Sequence, residues 1–321
     1  MAVLVKGAGV AGLSIAHELM SLGADVTVID PAPGGHAAAS WYAGGMLAPY
    51  CERESAAQAV VDLGLSAADW WEAALPRSVT RNGTLVLAPP RDLKELDRFA
   101  SRTTGYEIVG EDDIAALEPD LAGRFRRGLF FRSEAHLDPR HALVALAAKL
   151  AASGVAIGTE LSLLARPRFD WTIECIGRSS AEAGLRAVRG EMLLLRTRDV
   201  ALARPVRLMH PRFPVYIVPR PNHDFMVGAT MIESDANGPI TARSMMELLN
   251  AAYSLHPAFG EAEIVETGVG TRPAYPDNLP RLVRNGRNIS INGLYRHGFL
   301  LAPAMARQAA ELIFRERNNV R

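Results

Sequence analysis

Three glycines and one acid near the start of the chain have the types and spacing of a nucleotide site. Gly7, Gly9 and Gly12 complete G-x-G-x-x-G within VLVKGAGVAG. Gly7 permits a tight turn, Gly9 lets a pyrophosphate come close to the backbone, and Gly12 lets a helix pack closely on a strand. Asp30 stands 18 residues beyond Gly12 (30 − 12). A carboxylate there accepts hydrogen bonds from a ribose and repels a 2′-phosphate. The glycine pattern alone is common, so its weight depends on the elements that carry it.

Those elements are present. AVLV (2–5) is a short apolar run of the kind that forms a strand buried on both faces. VAGLSIAHELMSL (10–22) has apolar residues at helical spacing, with Gly23 to end it. ADVTVID (24–30) reads as a second strand. The helix start would then turn free N–H groups and a positive dipole end toward a phosphate.

Further along, AADWWEAALP (67–76) and RDLKELDRFASRT (91–103) read as helices, and GTLVLAPP (83–90) as a strand. DPRHALVALAAKLAASG (138–154) reads as a helix with Asp138 as N-cap, Pro139 in the first turn and Gly154 closing it. VAIGTEL (155–161) and WTIECIG (171–177) follow as strands. VRGEMLLLR (188–196), VYIVPR (215–220) and DFMVGAT (224–230) suggest a separate, largely antiparallel sheet. RSMMELLNAAYSLHP (243–257) reads as a helix, NISING (288–293) as a strand and LLAPAMARQAAELIFRER (300–317) as a final helix. The expected fold class is α/β (α+β overall). A Rossmann-like dinucleotide-binding domain (1–75, 134–182 and 265–321) is expected to interleave with a mainly antiparallel substrate-binding domain (76–133 and 183–264).

The whole chain narrows the partners. Its 321 residues suffice for two domains, and 49% hydrophobic with 22% charged residues is a globular composition. Lysine plus arginine equals aspartate plus glutamate at 35 each, so no net field favours nucleic acid or anionic lipid. RFRR (124–127), near the acidic EDD (111–113), reads as a solvated loop. Cys51 and Cys175 lie in no metal or CxxC spacing and read as reduced thiols of a cytoplasmic protein, with no metal expected. The start is not a signal peptide, and no run is apolar enough to span a membrane.

Three features favour FAD over NAD. The motif opens the chain. GGHAAASWYAGGMLAPY (34–50) offers small residues along which a long ligand could run. INGLYRHGFLLAPA (291–304) combines strand, glycine and helix start, a second set of N–H groups for the flavin half. At this point the set GAGVAG…VID, SWYAGGML, VYIVPR, GVGTRP and LYRHGFLLAPA resembles, in order and across the whole chain, the FAD-dependent amine oxidases of the D-amino-acid oxidase superfamily. The glycine oxidase branch, which serves thiamine biosynthesis, is the one it is most similar to.

The resemblance implies site residues. Val10 and Ala11 of the glycine motif would touch FAD, and Asp30 with Pro31 would hold the adenosine ribose. Ala39, Ser40, Gly44, Gly45 and Met46 would contact the flavin. Leu161 would meet the adenine. Leu294, Tyr295, Arg296, His297, Gly298, Phe299 and Leu300 would close over the isoalloxazine ring. Tyr216, Arg272 and Arg296 would line the substrate pocket as the catalytic set.

The chemistry implied is hydride transfer from the Cα of a small amino acid to flavin N5, with reoxidation by O2 giving H2O2. The cofactor carries the redox step, so no general base is required if the amine arrives neutral. The protein must place a carboxylate, which a guanidinium does with two parallel hydrogen bonds. Arg272 is the expected clamp, with Tyr216 donating to the same carboxylate and Arg296 orienting the substrate nearer the ring. Glycine is the leading substrate, with sarcosine or small D-amino acids behind it, in a homo-oligomer. The alternatives are a D-amino-acid dehydrogenase with another electron acceptor, a flavin-binding protein without turnover, and an NAD-dependent dehydrogenase.

Overall fold

In the computed structural model, residues 1–32, 36, 38–159, 168–210 and 214–319 are described. The apolar run near the start becomes the strand Ala2–Lys6, with Val3 and Val5 fully buried. It lies inside a six-stranded sheet ordered Arg281–Asn285, Asn288–Asn292, Trp171–Glu174, Ala2–Lys6, Asp25–Ile29, Ala156–Gly158. Pairing is parallel from Asn288–Asn292 to Ala156–Gly158, and Arg281–Asn285 adds an antiparallel edge. The helix Val10–Ser21 packs against both Pro139–Ala152 and Gly298–Asn319. Asp138 caps Pro139–Ala152 as expected, its carboxylate accepting from the Arg140 and His141 N–H groups.

The second sheet has nine strands. Its order is Ile232–Glu233, Arg186–Arg196, Asp224–Gly228, Val215–Pro219, Val206–Leu208, Thr84–Leu87, Arg127–Phe131, Glu107–Gly110, with Glu263–Ala274 also paired to Arg186–Arg196. Every pairing is antiparallel except that of Val206–Leu208 with Thr84–Leu87. The helix Ala242–Leu255 buries Leu248, Ala252 and Leu255 in the same core as Leu193, Ile217 and Val227 of this sheet. A small third sheet joins Met46–Leu47, Ala135–Leu137 and Val79–Thr80. Cys51 and Cys175 are both free and buried.

The architecture is thus the expected mixed α/β arrangement, with two differences of detail. Glu263–Ala274 pairs with Arg186–Arg196 along its length, across the boundary expected at 265. Of VAIGTEL, Ala156–Gly158 form strand while Val155 and Thr159 do not, and residues 160–161 lie outside the described residues. The two main sheets are clasped together by Arg140, at the start of a helix beside the first sheet. It donates to both oxygens of Glu266, in the second sheet, at 2.7 Å each, and lies over the Trp41 ring. Among the described residues, no helix is long and apolar enough to cross a membrane.

Candidate active site

The turns that follow three of the parallel strands open on one cavity. Gly7 follows Ala2–Lys6, Asp30 follows Asp25–Ile29 and Cys175 follows Trp171–Glu174, and all three line it. This is the carboxyl edge of the sheet, where open α/β sheets bind ligands. The cavity has a volume of about 1140 Å³. That exceeds the roughly 300–1,000 Å³ of ordinary small-molecule pockets and suits an extended ligand with a substrate beside it.

The three motif glycines do different work. Gly7 has φ +102°, and a Cβ there would fall 2.4 Å from the Cys175 carbonyl oxygen. At Gly12 a Cβ would fall 1.8 Å from the Gly7 carbonyl oxygen, so this glycine serves close packing and does not reach the cavity. Gly9 has an ordinary φ of −75°, and a Cβ there would meet nothing nearer than Ala38 Cβ and Ser40 Oγ at 3.5 Å. The protein itself does not require glycine at 9. A ligand running along the backbone would, and a pyrophosphate at this turn is such a ligand. Gly9 is also the N-cap of Val10–Ser21 and has no side chain to cap it, so the positive end of the helix faces the cavity beside Val10 and Ala11. The Val10 N–H donates to Ser40 Oγ at 3.3 Å.

Asp30 accepts from the Ala8 N–H at 2.6 Å and from the Ala32 N–H at 2.8 Å. Each oxygen has a lone pair left for a ribose hydroxyl. Pro31, Ala39, Ser40, Gly44, Gly45 and Met46 line the cavity, as does the whole run from Leu294 to Leu300. That run is held from behind. Trp71 Nε1 donates to the Phe299 carbonyl at 2.8 Å, and the Tyr295 N–H donates to the Pro273 carbonyl at 3.0 Å. Tyr295 has φ +51°, a left-handed backbone uncommon outside glycine. Gly298 starts the final helix, so two helix N-termini border one cavity. The donor set and the cleared backbone fit a dinucleotide as long as FAD. Leu161 lies outside the described residues.

Tyr216 and Arg272 also line the cavity, and glycines make room for both. A Cβ at Gly44 would lie 2.6 Å from the Tyr216 ring, and one at Gly228 would lie 2.9 Å from its hydroxyl. A Cβ at Gly190 would lie 2.2 Å from Arg272 Nη2. Arg272 Nη1 donates to the Thr230 carbonyl at 3.0 Å, and no carboxylate lies within ion-pair distance of it among the described residues. Burial holds its pKa below that of an ordinary guanidinium, with Tyr216 pulling the other way. Burial likewise raises the Tyr216 phenol, which stays a hydrogen-bond donor at neutral pH. A half-buried guanidinium with a carbonyl as its hydrogen-bond partner among the described residues has donors left that could take an anion.

Arg296 is differently placed. Its Nη2 lies 2.8 Å from Glu52 Oε2 and donates to Ser55 Oγ at 2.6 Å. Sequence reasoning passed over Glu52 and over Arg207, whose Nη1 donates to Glu52 Oε1 at 3.1 Å. Burial alone would push the Glu52 carboxyl up, but Arg296 and Arg207 outweigh it and hold it at about 2. His297 presents Nδ1 to the same Glu52 oxygen at 3.3 Å, and burial holds its imidazole down at about 4, so it is neutral at pH 7. Arg207 stands directly across from Tyr216 in the antiparallel pair, a register that only the assembled sheet reveals. Arg220 was also missed. It donates to the Gly44 carbonyl at 2.7 Å and to the Leu137 carbonyl at 3.2 Å, fixing the backbone that faces Tyr216.

A dinucleotide-sized cavity at the sheet edge, roofed by a second sheet that presents an arginine and a tyrosine, defines a class of redox enzyme. The chain belongs to the DAO family of FAD dependent oxidoreductases, whose pattern matches residues 2–312. It is 60% identical over 318 residues to a Rhizobium etli protein named as the thiamine biosynthesis oxidoreductase ThiO, covering 98% of this chain and 97% of that one. It is 28% identical to the glycine oxidase of Pseudomonas aeruginosa, over 97% of this chain and 94% of the relative. The crystal structure of glycine oxidase from Geobacillus kaustophilus shares the fold, with a TM-score of 0.81 at 23% identity over 98% of this chain and 94% of that chain.

Proposed function

We propose that this enzyme binds FAD in the large cavity and oxidises a small amino acid, with glycine the leading substrate, for the thiazole branch of thiamine biosynthesis. The observation that carries the reading is Arg272, a cavity guanidinium with a carbonyl partner, no carboxylate partner among the described residues, and a glycine opposite to clear its space. The relatives named for glycine oxidation and for thiamine biosynthesis support it.

The turn from Gly7 to Ala11 would hold the pyrophosphate and Asp30 the ribose, while 39–46 and 294–300 would flank the flavin. In this reading 1–75, 134–182 and 265–321 serve the cofactor, and 76–133 and 183–264 serve the substrate. Bound FAD supplies the hydride acceptor. Arg272 takes the substrate carboxylate through two parallel hydrogen bonds, and Tyr216 donates its phenol O–H to the same group. Fixing the carboxylate fixes Cα, and orientation of this kind accounts for up to about 7–11 kcal/mol of a barrier in favourable cases. His297 is neutral at pH 7 and adds no charge beside the substrate amine. Glycine gives up a hydride from Cα and one amine proton to become the imine. Two electrons pass on to O2, giving H2O2.

The test is the visible spectrum of the purified protein before and after anaerobic addition of glycine. A flavin band that bleaches, and returns with air and H2O2, is expected. A band that bleaches and returns only with another acceptor points to a dehydrogenase. A band unmoved by glycine, sarcosine and D-alanine refutes the substrate class.

A further inference from the structure

Glu52 is not consumed by the reading above, yet its carboxylate lies in the substrate end of the cavity. Three elements converge on it. Glu52 ends the short helix Pro49–Glu52, Arg207 comes from the strand Val206–Leu208, and Arg296 comes from the loop before the final helix. Arg207 reaches Oε1 at 3.1 Å and Arg296 reaches Oε2 at 2.8 Å. All three line the same cavity as Arg272. The two kinds of arginine are therefore in different states. Arg272 awaits an anion, whereas Arg207 and Arg296 share one that the protein provides.

We propose that Glu52 is a specificity-determining residue: its carboxylate fills the anion position between Arg207 and Arg296, so the cavity accepts amines that bear one carboxylate and rejects those that bear two. This rests on Arg272 as the partner of the substrate carboxylate. A second carboxylate that reached Arg207 or Arg296 would have to lie against Glu52, and like charges at such range are strongly unfavourable. Protonating Glu52 offers no relief near neutrality, because the same two arginines hold it ionised. His297 faces the carboxylate as a neutral ring and brings no further positive charge.

The test is Glu52→Gln, which keeps shape and removes charge. Flavin-loaded wild type and variant are reduced anaerobically by glycine, iminodiacetate and D-aspartate, and the second-order rate constants are compared. The ratio of a dicarboxylate to glycine should rise in the variant by at least about tenfold, the least that one charge-assisted hydrogen bond gives. Unchanged or lower ratios for both dicarboxylates would overturn the proposal. Removing Glu52 alone leaves two guanidinium groups unmatched, which can prevent folding. The double variant Glu52→Gln/Arg207→Gln keeps the charge balance, leaves Arg296 open, and should show the same rise. Binding without turnover gives an independent readout. Malonate should raise the Tm of either variant more than acetate does, and should show no such advantage on wild type. An equal malonate advantage in wild type and variants, or none in any of them, would overturn the proposal. Failure of wild-type flavin to bleach with glycine would instead count against the proposed function, and the malonate comparison would still report on Glu52.

Discussion

Gly190→Ala separates the site from the fold. A methyl at 190 would fall 2.2 Å from Arg272 Nη2 and 2.3 Å from its Cζ. Ordinary contact begins at about 3.5 Å, so the guanidinium must retreat by roughly 1.3 Å. The obstacle is the far end of a flexible side chain, and Gly190 sits inside the long strand Arg186–Arg196, where alanine is at least as well accommodated as glycine. The chain should therefore fold and keep its flavin while the carboxylate clamp is displaced. A misplacement near 1 Å typically costs about 10²-fold in rate. Losing one of two charge-assisted hydrogen bonds costs about 1.5–3 kcal/mol, or roughly 10- to 150-fold. Both routes give a fall in the second-order constant for flavin reduction by glycine of about 10- to 100-fold. Stopped-flow absorbance under anaerobic conditions measures it without assuming the final acceptor. An unchanged constant, with normal spectrum and Tm, would refute Arg272 as the carboxylate partner.

Other substitutions probe other parts of the same site. Arg272→Met should weaken binding of glycine and of simple carboxylate inhibitors by about 10²-fold with flavin retained, judged by spectral titration; unaltered affinity would remove it from the pocket. Gly9→Ala should give folded protein with weakened flavin binding, because the protein leaves room for a Cβ that a pyrophosphate would not, and a variant that holds flavin as tightly as wild type would contradict the turn assignment. Glu134 carries a pH dependence. Burial raises its carboxyl to about 7, so the folded state holds this proton more tightly than the unfolded chain does. Its contribution to stability is complete below the ordinary carboxylate pKa and is lost as pH rises through 7, by about 3 kcal/mol. Glu134→Gln should leave Tm unchanged near pH 4 and raise it at pH 8, and parallel Tm curves for the two proteins would disprove the shift.

What could be read from the sequence was local. The glycine turn, the helix N-cap at Asp138 and the small-residue run at 39–46 depend on neighbours a few positions away, and spacing encodes them. Glu263–Ala274 escaped notice as a strand because Gly268, Gly270 and Pro273 break the expected pattern. The glycines are there for packing, since a Cβ at 268 would strike Tyr42 and Met192, and one at 270 would press on Ala39. The hairpin of Arg281–Asn285 and Asn288–Asn292 carried a readable signal in Asn285–Gly286, with Gly286 at φ +60°, that was passed over. Glu52 and Arg207 carried none. They are 155 residues apart, and only the assembled sheets bring them to one wall. Arg296 was legible as a pocket residue, but its pairing with Glu52 was not.

The last helix carries a consequence for how the molecule is made. Gly298–Asn319 packs on Val10–Ser21, and the run leading into it walls the cavity. The turn at Gly7 and Gly9 therefore waits for residues 294–300 before its cradle closes. Until then the part of Val10–Ser21 that Gly298–Asn319 covers stays bare, and apolar surfaces of that kind draw chaperones or aggregate. Closure of the cradle therefore comes only after residues 294–300 have been made, and a fragment that stops before them should fail to form it.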